Sequence, residues 1–333
     1  MGNGKKQGLN ICSVTCGAGE KGKVSSRGGA RDYDYIFTQE RAGSDMQGKW
    51  MARIWRARNT GEFSKFFMST DRPEKKETGR GSSQKKKDAN GSQAIRRLAR
   101  LLNVNFHPGD CLLTLHFDAA GLEKIANNHD SATHQMMLLF GRMRYAYRKR
   151  GVIFRYIGMT SEKNDETLEP ARLHCHCVVS GDLLSKPEGS GEYLLSGRPL
   201  SEVWGYGTVD VQLLRHQDDY TALAVYLCRQ ARCLPDEKRW HPSRNLLKPD
   251  CVDVELTTAA IQDYNRHKRK GMPTLKLGPD GRLLIPTRCT CLDDGEYIPA
   301  IGTHYVRFLM PEARKLTSPV QEYERRGGRR RRA

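Results

Sequence analysis

The stretch Arg172-Leu173-His174-Cys175-His176-Cys177-Val178-Val179-Ser180-Gly181 constrains this chain most. Cys177, Val178 and Val179 suit a pleated, buried run, and Gly181 ends it, so the stretch reads as a β-strand. Successive side chains of a strand point to opposite faces. Leu173, Cys175, Cys177 and Val179 then share a wholly apolar face, which predicts packing on a core. His174 and His176 share the other face. Two neutral imidazoles at that spacing can chelate one divalent metal ion; the plainer alternative is two surface histidines. A zinc box of His174, Cys175, His176 and Cys177 is excluded, because its thiols and imidazoles face opposite ways.

Neighbouring segments supply a sheet for this strand. Residues 111–117 read as a strand, with Leu113, Leu115 and Phe117 on one face and Thr114 and His116 on the other. Residues 152–160 form the next, joined to the histidine strand by a polar loop over 161–170. Residues 208–213 alternate apolar and polar side chains as a further strand. Helical spacing marks a segment from Ser92 with Ile95, Leu98, Ala99, Leu101 and Leu102, and a second over 131–150. A short helix over 199–204 stops at Gly205, and a last one over 220–232 is capped by Asp218 or Asp219. This order predicts an α+β fold: an antiparallel sheet with helices on one face and the two histidines on its open face.

The last helix places Tyr226 and Arg229 at i and i+3, one above the other. Tyr220 lies six residues earlier, ~240° around the helix, so Tyr226 is the one candidate nucleophile. Glu162, just past the strand over 152–160, comes within reach of the histidine face.

Charge indicates the partner. Lys+Arg number 56 against Asp+Glu 38, a formal net charge of +18. Such a balance calls for a polyanion, and nucleic acid is the commonest. Arg329, Arg330, Arg331 and Arg332 end a basic tail suited to sequence-independent DNA affinity. No apolar run approaches the ~20 residues of a membrane span. Met1–Lys6 lacks an apolar follow-on, which argues against a secretory signal. The ten cysteines then read as reduced thiols, Cys12 and Cys16, Cys289 and Cys291 included. The chain divides into a basic, partly disordered region and linker over 1–91, a main domain over 92–250, a small extension over 251–318, and a disordered basic tail over 319–333.

Several motifs stand in a specific order: Leu112-Leu113-Thr114-Leu115, Arg172-Leu173-His174-Cys175-His176, Trp204-Gly205-Tyr206-Gly207, Ala224-Val225-Tyr226-Leu227-Cys228-Arg229, and the segment from Arg239 to Leu246. Together they resemble a rolling-circle replication initiator (Rep) of the HUH endonuclease superfamily, of the filamentous-phage and plasmid type. Residues 92–250 carry the resemblance. It implies a ferredoxin/RRM-like sheet whose open face bears the metal and the tyrosine. It implies Mg²⁺ or Mn²⁺ held by His174, His176 and Glu162, with Tyr226 as nucleophile and Arg229 beside it. It implies DNA contacts from Arg172, Arg239, Trp240 and Arg244. The substrate would be single-stranded origin DNA, as a hairpin or an extruded strand. Host polymerase and helicase would be partners, in a bacterial cytoplasm. Tyr226 would attack the scissile phosphate, form a 5′-phosphotyrosine and free a 3′-hydroxyl. Two departures stand out. Arg229 replaces the family's usual Lys, and Glu162 follows Thr160 one place later than the family's carboxylate. A relaxase or single-strand transposase would use the same parts, and a non-catalytic nucleic-acid-binding module is the third alternative.

Overall fold

The computed structural model describes residues 48–69, 84–164, 167–215, 217–231, 238–277, 282–293, 295–298 and 303–311. Cys12, Cys16 and the tail residues Arg329, Arg330, Arg331 and Arg332 lie outside these. In chain order the described elements begin with β1 (Gly48–Ala57), β2 (Thr60–Ser69), α1 (Gln84–Asn105), β3 (Cys111–His116), α2 (Ala119–Lys124) and α3 (His129–Lys149). Next come β4 (Tyr156–Lys163), β5 (Pro170–Val179), the short strands β6 (Leu184–Ser185), β7 (Leu194–Leu195) and β8 (Arg198–Pro199), and α4 (Leu200–Trp204). Then follow β9 (Val209–Leu213), α5 (Thr221–Gln230), β10 (His241–Pro242), β11 (Asp250–Glu255) and α6 (Thr258–Lys268). The remainder is β12 (Leu275–Leu277), β13 (Arg282–Ile285), β14 (Thr290–Cys291), β15 (Glu296–Ile298) and β16 (Thr303–Leu309). No helix among the described residues is long and apolar enough to cross a membrane.

The fold is α+β. A central antiparallel sheet has the order β10-β4-β5-β3-β9, so the histidine strand β5 lies in its middle. One face takes Leu113, Leu115, Leu173, Cys175, Cys177 and Val179 into a core closed by Met136, Leu139, Phe140 and Met143 of α3 and Trp204 of α4. The helix sits close because β4 carries Gly158 there: a Cβ at that position would stand 2.7 Å from Met136 Sδ and 2.8 Å from Phe140 Cζ. Asn128 caps α3, its side-chain oxygen accepting from the backbone N–H of Asp130 and Ser131.

The other face departs from expectation. Helices cover both faces, not one. Leu112, Ile157, Met159 and Val178 form a second core with Leu98, Leu102 and Phe106 from α1 and its end, and Ala224 and Leu227 of α5. The reason lies in the alternation itself. Val178 follows His174 and His176 on their face, with Leu112 and Ile157 as its cross-strand neighbours. Apolar side chains in that number need cover from water.

A second antiparallel sheet runs β11-β1-β2-β16-β14, with β15 paired to β16. Its strands come from the segments 1–91 and 251–318 that the sequence divides between a linker region and an extension. One of its faces builds a third core from Ile54, Phe63, Tyr264, Leu275, Ile285 and Phe308. Helix α1 begins at Gln84 rather than Ser92, because Gln84-Lys85-Lys86-Lys87 are good helix formers. It serves both sheets. Its apolar side joins the central sheet. Its arginines turn to the second sheet: the Arg96 guanidinium lies 3.6 Å from the Tyr305 ring centroid and that of Arg100 4.3 Å from Trp55. Arg100 Nε also donates to Glu62 Oε2 over 2.7 Å.

A polar hub fixes the start of α5. Asn103 Nδ2 donates to Thr60 Oγ1 and to Asp219 Oδ1, both over 3.1 Å, and its carbonyl accepts from the Tyr220 N–H over 2.7 Å. Arg307 Nη1 donates to Asp219 Oδ2 over 3.0 Å. The Asp219 carboxylate also accepts from the Thr221 N–H, although the N-cap position falls to Tyr220 rather than to Asp218 or Asp219.

Candidate active site

The site forms where the α5-covered face stops being apolar. Register sets its polar rows: Ser161, His174 and His116 lie side by side on β4, β5 and β3, and Met159, His176, Thr114 and Asp210 form the next row. His176 is fully buried and His174 nearly so. They are therefore not the exposed pair of the plainer alternative.

The two imidazoles converge. His174 Nε2 and His176 Nε2 lie 3.0 Å apart, with ring planes perpendicular at 90°. His174 Nδ1 lies 2.8 Å from the Arg172 carbonyl, which only accepts. In the neutral ring that contact puts the proton on Nδ1 and leaves Nε2 bare. His176 Nδ1 lies 3.4 Å from Thr114 Oγ1, a hydroxyl that can donate or accept, so this ring can take either tautomer. Two nitrogens at this separation each stand ~2.1 Å from a point that sees them at a right angle, which is the length of a metal–imidazole bond. The donor set so far fits two adjacent positions on one divalent ion.

Tyr226 completes the cluster. Its hydroxyl lies 3.5 Å from His176 Nε2, and its ring centroid 5.4 Å from that imidazole at 70°. The body of the ring packs on the second core through α5, while the hydroxyl reaches the polar end of the face. Tyr220 goes elsewhere, standing at the N-cap of α5 just outside the helix. It is buried, donates to the Arg215 carbonyl over 3.3 Å, and burial pushes its phenol up to about 12. Arg229 is exposed one turn after Tyr226, and among the described residues no side-chain bond ties its guanidinium.

Glu162 does not join the pair. Its Oε2 lies 2.8 Å from His129 Nε2 at the start of α3. The reason is that β4 runs on to Lys163 instead of ending at Thr160. Alternation then sends Glu162 to the α3 side with Thr160, whose hydroxyl lies 3.1 Å from His129 Nδ1. Ser161 takes the place beside His174. It is fully buried and donates to Gln230 Oε1 over 3.0 Å, and Gln230 is itself fully buried one turn beyond Tyr226. Among the described residues no three His, Cys, Asp or Glu side chains gather as a metal site. Burial pushes the Cys175 and Cys177 thiols up on the opposite face, so they stay protonated and pack.

The remaining candidates surround the cluster unevenly. Arg172 is exposed at the entry of β5, on the face of His174 by alternation. Trp240 packs at the edge of the second core, on the Tyr226 side of the sheet. The segment carrying it forms β10, with His241 opposite Gly158 and Pro242 opposite Ile157. Arg244 is exposed beyond that edge and Arg239 is half-buried.

Sequence reasoning placed His116 on this face but missed Ser161, Gln230 and Asp210, whose Oδ2 lies 3.0 Å from His116 Nε2. Gln230 carried a signal, standing four residues after Tyr226 on one helix face. Asp210 carried another, as the polar position of an alternating strand. Comparison of the chain with known protein families, curated proteins and solved structures yields no match.

Proposed function

We propose that this chain is a tyrosine-nucleophile, metal-dependent DNA nicking and joining enzyme that acts on single strands, of the kind that starts rolling-circle replication. The observation that carries the reading is the convergence of Tyr226 Oη, His176 Nε2 and His174 Nε2 within 3.0–3.5 Å steps. A phenol beside two inward imidazoles, under a +18 chain, suits phosphodiester chemistry.

His174 and His176 would hold Mg²⁺ or Mn²⁺ through Nε2, with water or the substrate's oxygens in the remaining positions. When bound, the ion supplies Lewis-acid polarisation of the phosphate. The chain's own residues do the rest. The Arg172 carbonyl and Thr114 hydroxyl orient the two rings. Tyr226 Oη forms a bond to phosphorus as the bond from phosphorus to the 3′-oxygen breaks. The phenol proton leaves and the departing 3′-oxygen gains one, so the step is proton-neutral. The product is a 5′-phosphotyrosine and a free 3′-hydroxyl, which a host polymerase can extend and which can attack in reverse to reseal the strand. Arg229, always protonated, holds phosphate one turn away. A hydroxyl recessed beside a buried imidazole reaches a splayed single strand, not a stacked duplex. A relaxase or single-strand transposase would share this chemistry.

One observation favours a second reading. With two imidazoles and no carboxylate, the cluster also suits a nucleic-acid-binding module without catalysis. The test is incubation of the full chain with single-stranded DNA carrying its origin region and Mn²⁺. A covalent adduct whose 5′-phosphate maps by mass spectrometry to the Tyr226 peptide is expected. Binding without adduct in any divalent metal would select the module.

A further inference from the structure

A groove of about 1020 Å³ lies on the α3 side of the central sheet, away from Tyr226. Its walls are the outer side of α3, the β7–β8 turn and α4. Five basic side chains line it, Lys124, Arg142, Lys149, Arg150 and Arg198, against one carboxylate, Glu202. Arg142 is tied to the Val203 carbonyl over 2.9 Å, and Arg198 to Glu202 over 3.5 Å. Lys124, Lys149 and Arg150 stay exposed. Cations in the last turn of α3 suit its macrodipole. That explains Lys149 and Arg150, and Lys124 likewise ends α2, but it does not explain why these two helix ends and Arg198 meet on one groove.

Two more observations point to a ligand. Tyr145 is 52% exposed on the groove wall, with Lys149 Nζ 5.0 Å and Arg148 Cζ 5.7 Å from its ring centroid. An exposed aromatic ring with cations lying over it can stack a base whose phosphates those cations neutralise. Gly141 sits mid-helix in the same wall, where Gly costs ~1 kcal/mol relative to Ala. Among the described residues, a Cβ there would meet no atom within 4 Å beyond its own helix backbone. That open space leaves room for a ligand backbone to approach α3 at Gly141.

We infer that this groove is a second binding track for single-stranded nucleic acid, with Tyr145 stacking a base and Lys124, Lys149 and Arg150 holding phosphates. The inference rests on the single-strand reading of the Tyr226 site for its ligand class. It adds that one strand is gripped on both sides of the sheet, so a long strand is bound more tightly than a short one. The groove's volume matches the largest small-molecule pockets, ~1,000 Å³, but it is open, which suits a polymer passing through.

The test uses the full chain and fluorescein-labelled oligothymidylates of 8 and 30 nucleotides, read by anisotropy across a salt series. Tyr145→Ala should lower 30-mer affinity at least fivefold. The double variant Lys149→Gln, Arg150→Gln should lower it about tenfold and flatten the salt slope by ~1.4, the value for two lost phosphate contacts. Binding of the 8-mer and cleavage of a short origin oligonucleotide should stay within twofold in both. A 30-mer carrying 5-iodouracil should cross-link to the peptide containing Tyr145. Unchanged 30-mer affinity and slope would overturn the groove, even with nicking intact. So would displacement of the 30-mer by polyglutamate together with indifference to Tyr145→Ala, which marks a site for an acidic protein. If the wild-type chain nicks nothing but the groove variants lose affinity as stated, the catalytic reading fails and the groove stands.

Discussion

The two faces of the central sheet share the same strands and differ in how far their covering reaches. Toward α3 the buried side chains are apolar along the full length of β3 and β5, and α3 with α4 closes over them. Toward α1 and α5 the face is apolar at Leu112, Ile157 and Val178, then turns polar at Thr114, His174 and His176. The first face contributes stability. The second gives up part of its apolar packing to hold a hydroxyl and two imidazoles at the rim of a core. The core beside Tyr226 and the Thr114 and Arg172 contacts of the two rings hold the cluster in register.

The sharpest way to break this contrast is on the polar end. His174→Ala, His176→Ala and Tyr226→Phe should each lower metal-dependent nicking on the order of 10³-fold or more, with single-strand affinity nearly unchanged. Tyr220→Phe, one helix face away, should stay within twofold of wild type. Nicking by Tyr226→Phe at the wild-type rate would end the assignment.

The reciprocal experiment is on the α3 face. Phe140→Ala removes a fully buried ring that stacks on Tyr156 at 4.0 Å. It should cost about 3–5 kcal/mol by denaturant titration, while nicking per folded molecule holds. A large loss of nicking without loss of stability would show that α3 does more than pack.

The second sheet should respond to acid. Burial, with Lys268 and Lys65 nearby, lowers the His304 imidazole from 6.5 to about 4. A lowered folded pKa means the unfolded chain takes up the proton first. The stability that neutral His304 provides is complete above about pH 6.5 and is lost between there and about pH 4. The melting temperature should fall across that window, and His304→Gln should flatten the fall. Identical pH profiles for the two proteins would refute the linkage.

The smallest effect is expected at Glu162. Its partner is His129 and its side chain is half exposed, so Glu162→Gln should change stability by about 0–1 kcal/mol. Nicking and its metal dependence should stay within twofold. A rise of tenfold or more in the metal requirement would return Glu162 to the ligand set.

Much of the site was legible because two signals coincided on β5. Alternation separated Cys175 and Cys177 from His174 and His176, and the thiols and imidazoles do lie on opposite faces. Tyr220 and Tyr226 do part company, though the helix begins at Thr221 and leaves Tyr220 at its N-cap. The covering of the histidine face follows from Val178, whose apolar side chain shares that face with His174 and His176 and packs in the second core. Glu162 was misplaced because one strand ran three residues further than its composition suggested. The second sheet was not legible at all as a sheet. Trp55 pairs with Cys251, and Phe63 with Val306. Local patterning marks a strand but does not name a partner some 200 positions away.

That pairing has a consequence for synthesis. Strands β1 and β2 leave the ribosome early and pair as a hairpin, but their outer partners β11 and β16 come only after the whole central sheet. At roughly 5–20 residues per second, the interval between Ser69 and Asp250 lasts on the order of 10–40 s. During it both edges of a hairpin bearing Trp50, Trp55, Phe63, Phe66 and Phe67 stand open. An open edge of that composition invites pairing with another nascent chain.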